Sequence, residues 1–177
     1  MGSIPPVKLA ELLESHQRWL ADDPLGKRMV LAEDLAGSNL VRANLEKSDL
    51  RGADLRGADL TAANLKAADL AGALLDSAKL SNATLEGTRF DQASLKNADL
   101  TRCGMVFASF KQADLTGADL GEAFIISSNF TDAVMIGVVM ARARLNKCIL
   151  QNVNLTKANL QAISVIALLN SQNLLLE

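Results

Sequence analysis

The sequence contains few aromatic residues, one histidine and two cysteines. Aromatic residues make up 3% of its 177 residues, and tyrosine is absent. A lone His16 and the separated Cys103 and Cys148 form no metal-ligand pattern of recognised spacing, and two cysteines are too few for a disulfide scaffold. We therefore predict no metal and no cofactor, and we expect both cysteines to be small buried side chains.

A strong charge bias and long apolar runs are also missing. The net charge is −2, so no general attraction to nucleic acid or to an anionic membrane is expected. No apolar run approaches the roughly 20 residues of a membrane span, and the N-terminus has no basic region followed by an apolar stretch. With 49% apolar and 21% charged residues, the composition is that of a globular protein. We predict a soluble, cytoplasmic protein.

What the sequence does contain is an apolar residue at every fifth position. From Val30 to Val165 these central positions number 28, and 19 of them are Leu. Two residues before them, from 33 to 163, lies a second register of 27 small positions, of which 17 are Ala. A period of five matches neither the helical period of about 3.6 nor the strand period of about 2.

Each pentad is expected to form one short extended side and one turn. The central and small residues then both point inward, because side chains alternate along an extended segment. The other three positions face solvent, where Asp, Asn and Gly suit the corners. Four sides close a coil of 20 residues, so the 28 pentads predict about seven coils stacked as parallel strands. Phe90, Phe110 and Phe130 are 20 residues apart and are predicted to lie in one column.

The cleanest stretch, residues 49–70, repeats the unit Ala-(Asp/Asn)-Leu-X-X. This unit resembles the consensus of the pentapeptide-repeat family, and the resemblance covers residues 30–165, about three quarters of the chain. It implies an all-β solenoid, a right-handed quadrilateral parallel β-helix. It implies much less about function, because the residues of the motif are structural.

Three regions are predicted. Residues 1–29 form an N-terminal helical cap and loop, residues 30–165 form the β-helix, and residues 166–177 form an apolar tail. The cap is expected to contain an amphipathic helix over 6–21 that covers the first coil. Its core-facing residues are Leu9, Leu12, Leu13, His16, Trp19 and Leu20. The tail either caps the other end of the rod or joins two rods.

No arrangement of residues points to catalysis, which requires an acid, a base or a nucleophile in a cleft. His16 lies on the apolar side of the cap helix, where packing is its expected role. The Asp residues that precede central Leu residues share one repeat position, which favours a role at the corners over acid–base chemistry. A filled interior also leaves no pocket for a substrate. The sequence predicts a protein that is not an enzyme.

Apolar residues occupy outward positions in the fourth to sixth coils. They are Val106, Phe107, Phe124, Ile126, Val134, Ile136, Val139 and Ile149. Val106 and Ile126 are 20 residues apart and should stack on one face, with Phe107 and Phe124 beside them. Two interpretations stay open: tolerated drift or cover by the tail, and a docking patch for a second copy or another protein.

The favoured function is a non-catalytic scaffold that binds an unknown protein partner or a second copy, the latter through its C-terminal half. The alternative follows from the resemblance: some family members are acidic rods that imitate DNA, bind gyrase-type topoisomerases and protect them from quinolones. Mimicry needs a dense negative face, since duplex DNA carries one charge per ~1.7 Å of axis. Residues 30–165 contain 15 acidic and 14 basic residues, so mimicry would require a one-sided acidic stripe.

Overall fold

The computed structural model describes residues 4–31 and 34–175. These residues form one helix and four strands: α1 (Pro6–Leu20), β1 (Gly104–Val106), β2 (Phe124–Ile126), β3 (Arg144–Ile149) and β4 (Ser164–Asn170). The four strands make one parallel sheet in the order β1-β2-β3-β4. Elsewhere in the repeat the coils are joined by single parallel bridges.

The coil is 20 residues long. Parallel bridges join residues 20 apart from Asp34↔Asp54 through Val139↔Asn159. Each extended side also donates to the next coil, as where the Leu55 amide donates to the Leu74 carbonyl at 2.7 Å. Four pentads per turn therefore stack so that residues with the same place in the repeat form straight columns.

The core consists of the central and small positions. Every central side chain from Leu35 to Leu155 is buried, and the Ala residues of the small register between Ala53 and Ala143 are buried beside them. The rings of Phe90, Phe110 and Phe130 stack in one column, with centroids 4.9 Å apart at both steps. The solenoid is filled by close packing of a large and a small side chain on every side.

The second residue after each central position turns the chain. This second turn position adopts a left-handed backbone, with φ of 66° at Gly52 and 57° at Arg42. Glycine adopts this conformation without steric cost, whereas an L side chain there costs roughly 1–2 kcal/mol. The side chain at this position is therefore a local expense that the stacked coils impose.

The register is displaced by one residue where the repeat begins. Val30 pairs with Asp49, 19 residues ahead. Met29 and Leu31 consequently point inward and are buried, while Val30 is 64% exposed. The predicted central position at Val30 is wrong for this reason, and the regular inward register begins at Leu35.

A second displacement occurs in β4. Ala167 pairs with Asn146, 21 residues earlier, because one extra residue enters the coil. Val165 is 48% exposed, so the predicted central position there is also wrong. The tail continues the coil, and Leu175 forms a bridge with Asn154. Leu176 and Glu177, which belong to the predicted tail, lie outside the described residues.

Helix α1 lies over the first coil. Pro6 opens it, since a proline at the first helical position loses no hydrogen bond there. Leu9 and His16 are buried, and Leu12 and Leu13 are partly buried against the core. The helix therefore covers the apolar cross-section that the first coil would otherwise expose. In the described part of the chain, no helix has the length and apolarity that crossing a membrane requires.

Candidate protein-binding surface

One side of the solenoid differs from the other three. We call it the strand face; its central residues run from Leu45 to Leu145 in steps of 20 and include Met105 and Ile125. Strands β1 to β3 lie on this face, with Met105 paired to Ile125 and Ile125 to Leu145. The corner that follows these central residues is more open than the other corners of the coil.

The open corner lacks the usual hydrogen bond of the turn. At Leu65 the corner is tight, because the Ala68 amide donates to the Leu65 carbonyl at 2.9 Å. At Met105 the buried Ser128 hydroxyl of the next coil takes this role. It donates to the Met105 carbonyl at 3.0 Å and accepts from the Ala108 amide at 3.2 Å. One side chain thus satisfies both backbone groups that the open corner leaves without each other.

Four apolar residues lie together on this face and at its corner: Val106, Phe107, Phe124 and Ile126, which we call the corner patch. Val106 is paired with Ile126 across β1 and β2. Phe107 is 67% exposed and Phe124 is 47% exposed, while the other two are half-buried. The corner patch is a contiguous apolar surface on a rod whose outward residues are otherwise mostly polar.

Phe107 occupies the second turn position, with φ of 56°. The same column holds Lys47, Ala67, Ser127 and Lys147, so no other aromatic residue stands there. A bulky residue in the left-handed region is strained, and burial does not offset this strain because the ring is mostly in solvent. Such a residue is a marker of a surface selected for something other than stability.

The other four predicted patch residues lie elsewhere. Val134 and Ile136 flank Met135, Val139 precedes Met140, and Ile149 precedes Leu150, on the three remaining sides of the coil. The eight apolar residues therefore do not form one patch, because their central neighbours differ by steps other than 20. Only the residues on the strand face and its corner come together.

The strand face carries a separated charge pattern around the corner patch. Arg144 lies directly above Phe124 in the next coil, and Lys147 follows three residues later. Both are exposed, and neither forms an ion pair among the described residues. On the opposite flank, Glu86 lies in the coil below Val106 and pairs with Lys66 at 3.0 Å. The corner patch is thus bounded by cations on one side and by an anion on the other.

Charges alternate on the side that follows the strand face. Arg51 lies 2.6 Å from Asp49 and 3.8 Å from Asp69, and Arg89 lies 3.3 Å from Asp69 and 3.2 Å from Asp91. Hydrogen bonds from the Arg51 guanidinium hold the pKa of Asp49 below its ordinary value. The carboxylates are interleaved with bases, so this side has no continuous acidic stripe.

The repeat unit identified above is matched along most of the chain. The model described as "Pentapeptide repeats (8 copies)" matches residues 34–66, 68–105, 93–132 and 125–161. The chain belongs to the pentapeptide-repeat family. The predicted family is therefore confirmed.

Solved structures of other pentapeptide-repeat proteins are similar to the chain. Full-length QnrB1, a plasmid-mediated fluoroquinolone resistance protein, has 17% identity and a TM-score of 0.69, with 77% of this chain and 70% of that chain covered. Rfr23 from the cyanobacterium Cyanothece 51142 has 20% identity and a TM-score of 0.35, covering 93% of this chain and 98% of its own. Comparison with curated proteins gave no significant match. At these identities the likeness shows the fold alone.

The interior of this pentapeptide-repeat protein offers no reactive thiol. Cys103 and Cys148 are both buried at small positions. Burial raises the pKa of the Cys103 thiol to about 12 and also raises the pKa of Cys148. Thiolates are the reactive form of cysteine, so both residues serve as small core side chains.

Open grooves are the main concavities of the surface. A groove of about 430 Å³ lies between coils and is lined in part by Arg102, Glu122 and Arg142. These three residues form an ion-pair chain, in which Arg102 contacts Glu122 at 3.0 Å and Arg142 contacts it at 3.9 Å. Within residues 4–31 and 34–175, no group of His, Cys, Asp and Glu is placed to hold a metal ion.

His16 fastens the cap helix to the first coil. Its Nε2 lies 2.9 Å from the Glu46 carbonyl, and its Nδ1 accepts from the Met29 amide at 3.0 Å. Trp19 stacks on the imidazole at 5.6 Å. Because Nδ1 accepts, Nε2 carries the proton and the ring is neutral. Burial lowers the pKa of His16, in agreement with this form.

Sequence reasoning located the apolar residues of the site but missed its polar partners. Ser128 occupies a small position like any other, and Gly104, Glu86, Arg144 and Lys147 are ordinary outward residues. Reading the sequence in columns of 20 would have shown them, because each column lists the neighbours of the corner patch in order.

Proposed function

We propose that the protein is a non-catalytic, cytoplasmic scaffold that binds another protein surface, including that of a second copy, through the corner patch. In this proposal residues 1–29 are the cap, residues 30–165 are a right-handed quadrilateral rod of about seven coils, and residues 166–177 extend its far end. The rod supplies a rigid frame, and the corner patch supplies the contact.

Phe107 carries this proposal. An exposed aromatic ring contributes little to folding and, in a left-handed conformation, costs roughly 1–2 kcal/mol. Aromatic residues are enriched in the cores of protein interfaces, where they bury a large area at small conformational cost. The place of Phe107 beside Phe124 fits a contact surface better than it fits tolerated drift.

The proposal of a scaffold without catalysis rests on where the polar residues lie. The carboxylates accept hydrogen bonds from turn amides, as Asp59 does from Thr61 at 3.0 Å and Asp119 from Gly121 at 2.8 Å. His16 is committed to two backbone groups beneath α1. These groups are occupied with structural contacts and do not converge on a cleft.

Affinity capture from the native cell tests this function. The wild-type chain is compared with Phe107→Lys/Ile126→Lys and with a matched control, Leu74→Lys, which changes an exposed outward apolar residue on another side. We expect the double variant to lose the captured protein or the second copy, and the control to retain it. Equal capture by all three chains would contradict the proposal.

The alternative is a DNA mimic that binds a gyrase-type topoisomerase, and the fold likeness to QnrB1 is compatible with it. The arrangement of charge argues against it, since Arg51 and Arg89 alternate with the Asp residues that would form the stripe. Protection of purified gyrase from a quinolone tests the alternative directly. Protection that survives Phe107→Lys/Ile126→Lys would favour the mimic over the corner patch.

A further inference from the structure

We propose that the corner patch pairs with the same patch of a second copy, with the two rods antiparallel about a two-fold axis. This inference rests on the proposed function and specifies one partner for it. It depends on three features of the strand face: the order of large and small residues, the place of the charges, and their symmetry about one point.

The symmetry point lies midway between the coils that contain Met105 and Ile125. Neighbouring coils are about 4.8 Å apart, as in any sheet. A two-fold axis across the rod at this point reverses the order of coils but keeps each column opposite itself. The coil of Met105 then faces the coil of Ile125 in the second copy, and the coil of Leu85 faces the coil of Leu145.

Large residues meet small ones in this arrangement. Phe124 faces Gly104 of the second copy, because Gly104 and Phe124 occupy the same column in adjacent coils. The position that a Cβ of Gly104 would take has no atom within 4 Å, so there is open space for a ring. Phe107 likewise faces Ser127, and Val106 faces Ile126 of the second copy. The corner patch is self-complementary in shape.

Opposite charges also meet. Glu86 lies one and a half coil spacings to one side of the symmetry point, and Arg144 and Lys147 lie the same distance to the other side. Each Glu86 therefore faces the coil of Leu145 in the second copy, between its two cations. Arg144 and Lys147, which form no ion pair among the described residues, gain a partner in the dimer.

A parallel pair of rods does not have this complementarity. It would place each coil opposite the same coil, so that Arg144 of one copy faces Lys147 of the other. Like charges that face each other across an interface are unfavourable, which selects the antiparallel arrangement. The contact covers about four coils of one face, so we expect a weak and concentration-dependent dimer.

Sedimentation of charge-reversed chains tests this inference. One chain carries Glu86→Lys and the other carries Arg144→Glu/Lys147→Glu. In the antiparallel dimer each variant repels itself, whereas a mixture restores opposite charges at both contacts. We expect each variant alone to be more monomeric than wild type, and the equimolar mixture to associate as wild type does.

A steric variant supplies an independent readout. Gly104→Phe fills the space that receives Phe124, and the open surroundings and ordinary φ of Gly104 predict an intact fold. We expect this variant to lose association with an unchanged unfolding midpoint. Leu74→Lys, on another side of the coil, is the control that should dimerise normally.

The outcomes separate this inference from the proposed function. A wild-type chain that stays monomeric at all accessible concentrations overturns the dimer, while loss of another captured protein by Phe107→Lys/Ile126→Lys would still support the docking surface. A dimer that survives Gly104→Phe overturns the contact. A dimer that the charge variants do not weaken, or that mixing them does not restore, overturns its antiparallel arrangement.

Discussion

Residues 49–70 and residues 104–127 have the same interior and different surfaces. In both segments the central and small side chains are buried and the coils are 20 residues long. Outside, the first segment presents Asp–Arg pairs such as Asp54 with Arg56 at 2.5 Å, whereas the second presents the corner patch. The inward positions thus specify the rod, and the outward positions are free to specify a contact.

The corners of the two segments differ as well. The corner after Leu65 closes by its own backbone, while the corner after Met105 needs Ser128 from the next coil. The open corner turns the chain less sharply and forms part of a strand. A departure from the repeat at the surface is therefore accompanied by a compensating polar residue in the core.

The largest expected effect is in the core. Phe110→Ala removes the middle ring of the stacked column and should lower the free energy of unfolding by about 3–5 kcal/mol, because it leaves a cavity that the coils cannot close. Phe107→Ala is the matched control and should not lower it, since that ring is mostly in solvent. Denaturant unfolding measures both, and equal losses would contradict the division between core and surface.

The next effect concerns the open corner. Ser128→Ala removes the hydroxyl that joins the Met105 carbonyl to the Ala108 amide, and it should cost about 1–3 kcal/mol because both groups are left unpaired. Ser48→Ala is the control in the regular segment. There the Ser48 amide already donates to the Leu45 carbonyl at 3.1 Å, so the loss should be smaller. Equal unfolding losses would show that the two corners are alike.

Acid should loosen the N-terminal end and leave the corner patch intact. Burial holds the pKa of His16 below its ordinary value of 6.5, so the unfolded cap takes up a proton first as the pH falls. The stability of the capped state is therefore full above pH 6.5 and is lost as the pH drops towards the lowered pKa. Amide exchange at Met29 measures this opening.

His16→Gln is the control for the acid effect, because a neutral amide both donates and accepts without titrating near this pH. We expect exchange at Met29 in this variant to lose its dependence on pH below 6.5. A dependence that remains would mean that another group controls the opening of the cap.

The smallest expected effect is a gain in stability. Phe107→Asn places a residue that tolerates the left-handed region at the strained turn, and it should raise the free energy of unfolding by about 1 kcal/mol or less. The same change should weaken association through the corner patch. Denaturant unfolding and sedimentation measure the two effects, and a loss of stability would contradict the assignment of strain.

The sequence was most informative where the repeat is regular. The period of five leads to the family and to the parallel solenoid, because every central and small position reports the same inward direction. It failed at Val30 and Val165, where the chain keeps an apolar residue at the fifth position while the strand register moves by one. Periodicity alone does not register such a shift, since Met29 and Leu31 are apolar too.

The candidate site was harder to predict. Four of the eight outward apolar residues lie apart from the corner patch, because a linear count does not assign them to sides. The hydroxyl of Ser128 and the space beside Gly104 depend on the local shape of one corner. Such features arise from contacts between coils, which the five-residue pattern does not encode.

The most direct test of the corner patch as a self-complementary contact is sedimentation of wild type and Phe107→Lys/Ile126→Lys over a wide range of protein concentration, with unfolding midpoints measured in parallel. We predict that the wild-type chain associates as its concentration rises and that the double variant remains monomeric with an unchanged midpoint. Equal association of the two chains, or a wild-type chain that never associates, would contradict the account.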